Sequence, residues 1–175
     1  MSRFAGRGLD KLWFAFLALH IPISLLLDMQ TLYPSSWLEG TALQRFFHWS
    51  ISLARDPILG GAMSGSKEFA WLRLFLYLEG GFQVPCFAIG AWGLWRNDKR
   101  VYPLILAYGA STATTLIPCL GALLTATPKP PFTTAEYLTL LSEYIPFLLF
   151  PLGMAIDMGI KLVKIVNIAQ ERKSI

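Results

Sequence analysis

The chain has 175 residues, of which 54% are hydrophobic and only 15% charged, with a formal net charge of +4. A soluble domain carries about 25% charged residues, so the composition points to one integral-membrane domain over residues 1–175. Its basic residues sit in short segments beside apolar runs, with no aromatic-interleaved basic stretch and no phosphate-binding glycine loop. The expected surroundings are therefore a lipid bilayer, and nucleic acid is not an expected partner.

Residues 1–11 carry Arg3, Arg7 and Lys11 against Asp10, and lack the small-residue cleavage site of a secretory signal. The apolar run at 12–27, about 10–28 with its edges, is the first span, since about 20 residues cross a hydrocarbon core. Residues 29–69 are too polar to cross. Within them, Leu43, Phe46, Phe47, Trp49, Ile51 and Leu53 are set against Gln44, Arg45, His48, Ser50, Ser52 and Arg55. This pattern predicts a lateral amphipathic helix over 41–54 at the membrane surface. Asp56-Pro57 and the glycine- and serine-rich residues 60–66 read as a flexible loop.

The second span, 70–95, contains Arg73, Glu79, Gln83 and Pro85, and ends in a basic turn at 96–100. The third, 101–124, is rich in hydroxyls: Tyr108, Ser111, Thr112, Thr114 and Thr115 precede Pro118. A proline- and threonine-rich loop at 125–134 leads into the fourth span, 137–166, which carries Glu143, Tyr144, Pro146 and Pro151. A basic tail occupies 167–175.

The basic residues set the orientation. Arg3, Arg7, Lys11, Arg96, Lys99, Arg100, Lys161, Lys164, Arg172 and Lys173 fall on one side in short segments. Arg45, Arg55, Lys67 and Lys129 are spread over longer loops on the other. Four spans with both termini cytosolic satisfy this bias. Arg172 and Lys173 stand where a dibasic retrieval signal of the endoplasmic reticulum would lie, and an ordinary basic tail is the alternative. Cys86 and Cys119 lie inside apolar segments and read as free thiols. No cofactor and no metal site is expected. The fold class is an all-α membrane protein: four proline-kinked transmembrane helices, with the lateral helix between the first and second.

An aspartate at the centre of a membrane helix costs roughly 2.5–3.5 kcal/mol on insertion scales, so Asp28 calls for compensation or a function. His20, Ser24 and Asp28 recur at i, i+4 and i+8 on one helical face, and Glu79 and Gln83 are also i, i+4. Asp56 lies on the side where Asp28 emerges. Tyr108, Ser111, Thr112 and Thr115 supply a hydroxyl stripe, for which helix-to-helix hydrogen bonding is the simpler role. Prolines at 22, 85, 103, 118, 146 and 151 predict bent helices around a widened cavity. Two carboxylates close together in low dielectric cannot both ionise cheaply, so an Asp28–Glu79 pair sharing one proton is expected. Such a pair can attract an amphipathic cation or shuttle a proton to an alkene.

Five segments carry a resemblance: H-I-P-I-S-L-L-L-D-M-Q at 20–30, R-D-P-I-L at 55–59, L-E-G-G-F-Q-V-P at 78–85, T-T-L-I-P at 114–118 and Y-I-P-F-L-L-F-P at 144–151. In this order the chain resembles the EXPERA family, and within it the sigma-2-receptor-like branch. The resemblance implies a kinked four-helix bundle that forms a homodimer in the endoplasmic reticulum membrane, with a hydrophobic pocket reached from the bilayer. It implies sterol or hydrophobic amine ligands, a part in cholesterol handling, and trafficking proteins as partners. The family's ligand-pairing aspartate falls on Asp28, the supporting one on Asp56, and the neighbouring acid on Glu79 with Gln83 one turn on. Pocket-wall positions fall on Trp49, Tyr108, Thr115, Leu116 and Tyr144.

The family's sterol-isomerase branch uses a histidine and two glutamates. His20 and Glu79 match two of these, but Ser24 stands where the second acid is expected, and the isomerase's additional span has no counterpart. Asp28 lies one turn further along. The leading expectation is ligand binding anchored on Asp28. The alternative is a double-bond isomerase using His20, Glu79 and Asp28, and a trafficking scaffold is a third.

Overall fold

The structure is a computed structural model that describes residues 4–173. Arg3 of the basic N-terminal arm and the last two residues of the C-terminal tail lie outside the described residues. Among the described residues every regular element is helical. Four stretches are long and apolar enough to cross a membrane: Gly8–Thr31, Lys67–Arg96, Lys99–Thr125 and Thr134–Glu171.

Helix α1 (Gly8–Leu26) passes through Pro22 and tightens into a 3₁₀ turn at Asp28–Thr31. The short α2 (Ser35–Leu38) precedes α3 (Ala42–Ala54). The start of α3 is fixed by Thr41, whose hydroxyl accepts the Gln44 N–H at 3.1 Å, and its end by Arg55 in the left-handed conformation. The segment expected to be a flexible loop from residue 60 is largely helical: α4 spans Pro57–Met63. Asp56 explains the difference. Its carboxylate accepts the Ile58 and Leu59 N–H groups at 2.7 and 3.1 Å, and Pro57 occupies the first helical position, where a missing N–H costs nothing. A good start overrides two glycines.

Helices α5 (Ala70–Leu78) and α6 (Val84–Arg96) form one continuous rod, joined by a π turn at Glu79–Gln83. There the Val84 N–H reaches back five residues to the Glu79 carbonyl. Pro85 follows at once; a proline ring clashes with the carbonyl four residues earlier, and the widened turn at Gly80 and Gly81 accommodates it. After a tight turn comes α7 (Tyr102–Thr125), then α8 (Thr134–Glu171), begun by a capping box between Thr133 and Glu136. Pro118 lies inside α7, and Pro146 and Pro151 inside α8, whereas Pro103 sits in the first turn of α7. With 38 residues, α8 is about 57 Å long, and it continues well past the expected end of the fourth span.

The most extensive contacts join α7 to α8 and α1 to α6. One core gathers Trp13, Leu17, Phe87, Leu94, Ile105 and Met154; the other gathers Ala54, Ile58, Leu72, Leu76, Leu123 and Leu140. At Gly109 α7 meets α8 so closely that a Cβ would lie 2.5 Å from the Pro151 carbonyl oxygen. Large apolar side chains such as Leu19, Leu74, Trp92, Ile117 and Leu149 face outward, the pattern of a bundle whose solvent is hydrocarbon. This is a multi-pass membrane protein.

One end of the bundle is closed by charges that the sequence presents only as loose basic flanks. Buried Asp10 takes Arg7 Nε at 2.8 Å and Lys161 Nζ at 2.6 Å. Lys161 also pairs with Asp157 at 2.6 Å, and the Trp13 indole donates to the same Asp157 oxygen at 2.7 Å. Arg7 Nη2 donates to the Leu94 carbonyl at 2.7 Å, tying α1 to α6. Cys86 and Cys119 are both buried and free.

Candidate functional site

A cavity of about 370 Å³ opens among α1, α3, α4, the α5–α6 rod, α7 and α8. Its wall shares Ile58, Leu72, Leu76 and Cys119 with the second core, so most of it is hydrocarbon. One polar cluster marks its inner end, beside α1 and the α5–α6 rod. There one ligating atom each from His20, Asp28 and Glu79 lies within 4.8 Å of the others.

Two helices make this convergence. The shared face of α1 points His20 into the cavity and turns Ser24, fully buried, towards the π turn, where its hydroxyl donates to Glu79 Oε1. Ser24 therefore lies behind the acid and orients it. Asp28 opens the 3₁₀ turn beneath them, in side-chain contact with Glu79. A hydrogen bond between two carboxyl groups needs a proton on one of them. Gln83, buried, lines the cavity one turn beyond Glu79.

His20 is held in an aromatic cage. Phe87 stacks on its ring at 4.5 Å, Phe16 meets it edge-on at 5.2 Å, and Phe147 covers it at 4.8 Å. The Tyr108 hydroxyl and His20 Nδ1 share a hydrogen bond of 3.3 Å. That bond sets which ring nitrogen carries the proton.

Asp56 has a different character. One oxygen caps α4, and the other accepts the Tyr144 hydroxyl at 2.8 Å. Burial pushes its carboxyl above the usual range, opposed by the Tyr144 hydroxyl and the two backbone N–H groups. Thr115 lines the cavity while its hydroxyl donates to the Thr112 carbonyl at 3.0 Å, and Leu116 and Tyr144 line it as well.

Two expected wall positions lie elsewhere. Trp49 is 56% exposed, with its ring against Phe46. On α3 the inward face is formed by Phe47, Ser50 and Ile51, and position 49 turns away from it. Tyr108 is fully buried behind His20 and does not line the cavity. Sequence reasoning missed Phe47, Phe75, Glu143 and Phe147, all of which do. A signal existed for three of them, since Phe47 and Ile51 are one helical turn apart, as are Glu143 and Phe147. His20, Asp28 and Glu79 are also the group among the described residues close enough to hold a metal ion.

Residues 42–158 match the model of the EXPERA (EXPanded EBP superfamily) family. The chain belongs to the EXPERA family. The matched region contains Asp56, Glu79, Gln83, Thr115 and Tyr144, while His20 on α1 and Asp28 in the 3₁₀ turn lie before it. Among named relatives, the chain is 30% identical to Sigma intracellular receptor 2 of Xenopus tropicalis over 159 residues, covering 87% of this chain and 89% of that protein. It is 32% identical to the Homo sapiens protein of the same name, covering 79% and 80%. It is 30% identical to Efficient mitochondria targeting-associated protein 19 of Schizosaccharomyces pombe, covering 95% and 83%.

Proposed function

We propose that this EXPERA protein is an intramembrane binding protein for sterols and cationic amphiphiles, with Asp28 as the anchor for a ligand's amine. The observation that carries the reading is the carboxyl pair Asp28–Glu79 at the inner end of a largely apolar cavity. A protonated amine brought there neutralises the pair's single charge where water screens little, and the hydrocarbon wall takes the rest of the molecule. Asp56 supports the anchor by fixing α4 and Tyr144, and Gln83, Thr115, Leu116 and Tyr144 shape the wall. Relatives named as intracellular receptors support ligand binding. On this reading the protein resides in the endoplasmic reticulum membrane as a homodimer with both termini cytosolic, α3 lies along the membrane surface, and the ligand ties the protein to sterol handling and trafficking partners. Asp28→Asn should reduce binding of a hydrophobic amine by at least ~100-fold, the worth of a charge-assisted contact of about 2.7 kcal/mol. Unchanged affinity in a folded variant would sink the assignment.

One observation favours a second reading. His20, Glu79 and Asp28 converge within 4.8 Å, which places a base and two acids where a bound alkene could gain and lose a proton. The histidine's aromatic cage could steady a carbocation between those steps. Incubation with a Δ8-sterol in deuterated water decides it. A shifted double bond with one deuterium incorporated establishes isomerisation, and recovery of unlabelled starting sterol counts against it.

A further inference from the structure

We propose that Glu143 is a second cation-recognition point at the mouth of the cavity, so that the cavity prefers amphiphiles with two amine centres over matched ones with a single amine. The proposal rests on the amine-binding reading of Asp28 and names the ligand class more narrowly.

Four acids line the cavity: Asp28, Asp56, Glu79 and Glu143. Three are engaged. Asp28 and Glu79 contact one another, Ser24 holds Glu79, and Asp56 is occupied by two backbone N–H groups and the Tyr144 hydroxyl. Glu143 differs from them. It is exposed, next in sequence to Tyr144, and carries no hydrogen bond or ion pair among the described residues. The cation Arg55, next in sequence to Asp56, is committed elsewhere, to the Pro130 carbonyl at 2.8 Å and to Glu136 at 3.5 Å. Glu143 also lies close enough to Asp56 to feel its field. An ionisable side chain within a membrane-spanning helix and without a partner is a functional position by default.

A second, independent observation points to a ligand. Thr112 lines the same cavity at 3% exposure, and its Oγ1 has no hydrogen-bond partner. The neighbouring Tyr108 hydroxyl makes its hydrogen bond of 3.3 Å with His20 Nδ1. A buried hydroxyl left unmet in the same cavity as an acid without a partner fits an occupant that brings both donors and charge. Phe147, one turn from Glu143 on the same wall, adds an aromatic face on which an ammonium or its flanking methylenes can rest. The inner pair takes one amine, the hydrocarbon wall takes the spacer, and Glu143 takes the second.

The test uses the full chain in lipid nanodiscs and two probes, a long-chain alkylamine and the α,ω-diamine of the same length. The readout is the ratio of their dissociation constants, which cancels any general effect on the cavity. The intact protein should favour the diamine by about tenfold, and Glu143→Gln should bring that ratio close to one. Glu143→Asp, which keeps the charge on a shorter arm, should retain part of the preference. A ratio near one in the intact protein, or a preference that survives in Glu143→Gln, overturns the proposal. Asp28→Asn separates the two readings. If it weakens both probes while Glu143→Gln leaves the ratio alone, the rim site fails and the anchor stands. If it weakens neither while Glu143→Gln removes the preference, the anchor fails and the rim site stands.

Discussion

The close approach of α7 to the α8 backbone offers a stringent test of how the cavity is held. At Gly109 an added Cβ would lie 2.5 Å from the Pro151 carbonyl oxygen, 3.0 Å from the Ala155 nitrogen and 3.2 Å from the Ala155 Cβ. The first two are the acceptor and donor of one rung of the α8 ladder, so the methyl would press on backbone at both ends. Ordinary carbon–oxygen contact begins near 3.3 Å, so α7 and α8 would have to part by about 1 Å. Overpacking of this kind costs about 1–3 kcal/mol, and backbone that cannot rotate aside places Gly109→Ala towards the upper end. Alanine's helix preference over glycine returns about 1 kcal/mol, leaving a net loss of about 2 kcal/mol. Gly121→Ala is the control: it lies on the same helix with nothing within 4 Å of its Cβ, and should be neutral or stabilising by up to about 1 kcal/mol. Unfolding in mild detergent, followed by tryptophan fluorescence, reads both. Since Thr112 and Thr115 on α7 face Tyr144 and Phe147 on α8 across the cavity, amine affinity should fall in Gly109→Ala and hold in Gly121→Ala. Equal stability of the two variants would refute the close-approach reasoning.

Three other outcomes are expected. Burial holds the Asp56 carboxyl above its ordinary 3.8, so the folded chain binds this proton more tightly than the unfolded one; the contribution is full below that value and is lost as pH rises through the folded one. Asp56→Asn should therefore flatten the decline in unfolding temperature from about pH 4 upward, and a slope equal to the parent's would contradict this. Asp10→Asn should cost about 1–3 kcal/mol, less than the ~3–5 for a fully buried pair, because Arg7 and Lys161 reach solvent and Lys161 keeps Asp157; denaturant titration measures it. Trp49→Ala should change amine affinity by less than about twofold, the share of an exposed site outside the cavity; a tenfold loss in a binding titration would mean that the ring enters the cavity when ligand binds.

Hydropathy was enough to locate the four spans, because each is a local run whose length must match a bilayer. The cost of placing an acid in such a run singled out Asp28 and Glu79, and the structure brings them together with His20. What escaped was set by contacts between distant segments. The α4 helix depends on one capping aspartate overriding two glycines, and local composition weighs the glycines more heavily. Alternation and helical spacing competed in 41–54, so the inward face carrying Phe47 could not be told from the outward face carrying Trp49. Glu143 was visible as an intramembrane acid, but only the packing of α8 against α3 and α7 puts it on the cavity wall. Lys161 read as a flanking charge because its partner, Asp10, lies about 150 positions away in sequence and comes within reach only after folding.

The π turn at Glu79–Gln83 makes the second spanning helix one residue longer than its α-helical turns require. One residue is about 100° of rotation and 1.5 Å of rise. The half that buries Leu72 and Leu76 and the half that buries Phe87 and Leu94 thus belong to two helical phases, reconciled only in the stretch that also presents the cavity's inner acid. Change the residue count there, and either half can keep its own packing, but both cannot do so at once. Among chains of this design, the number of residues between the Glu79 and Pro85 positions is as much a part of the site as the identity of the acid.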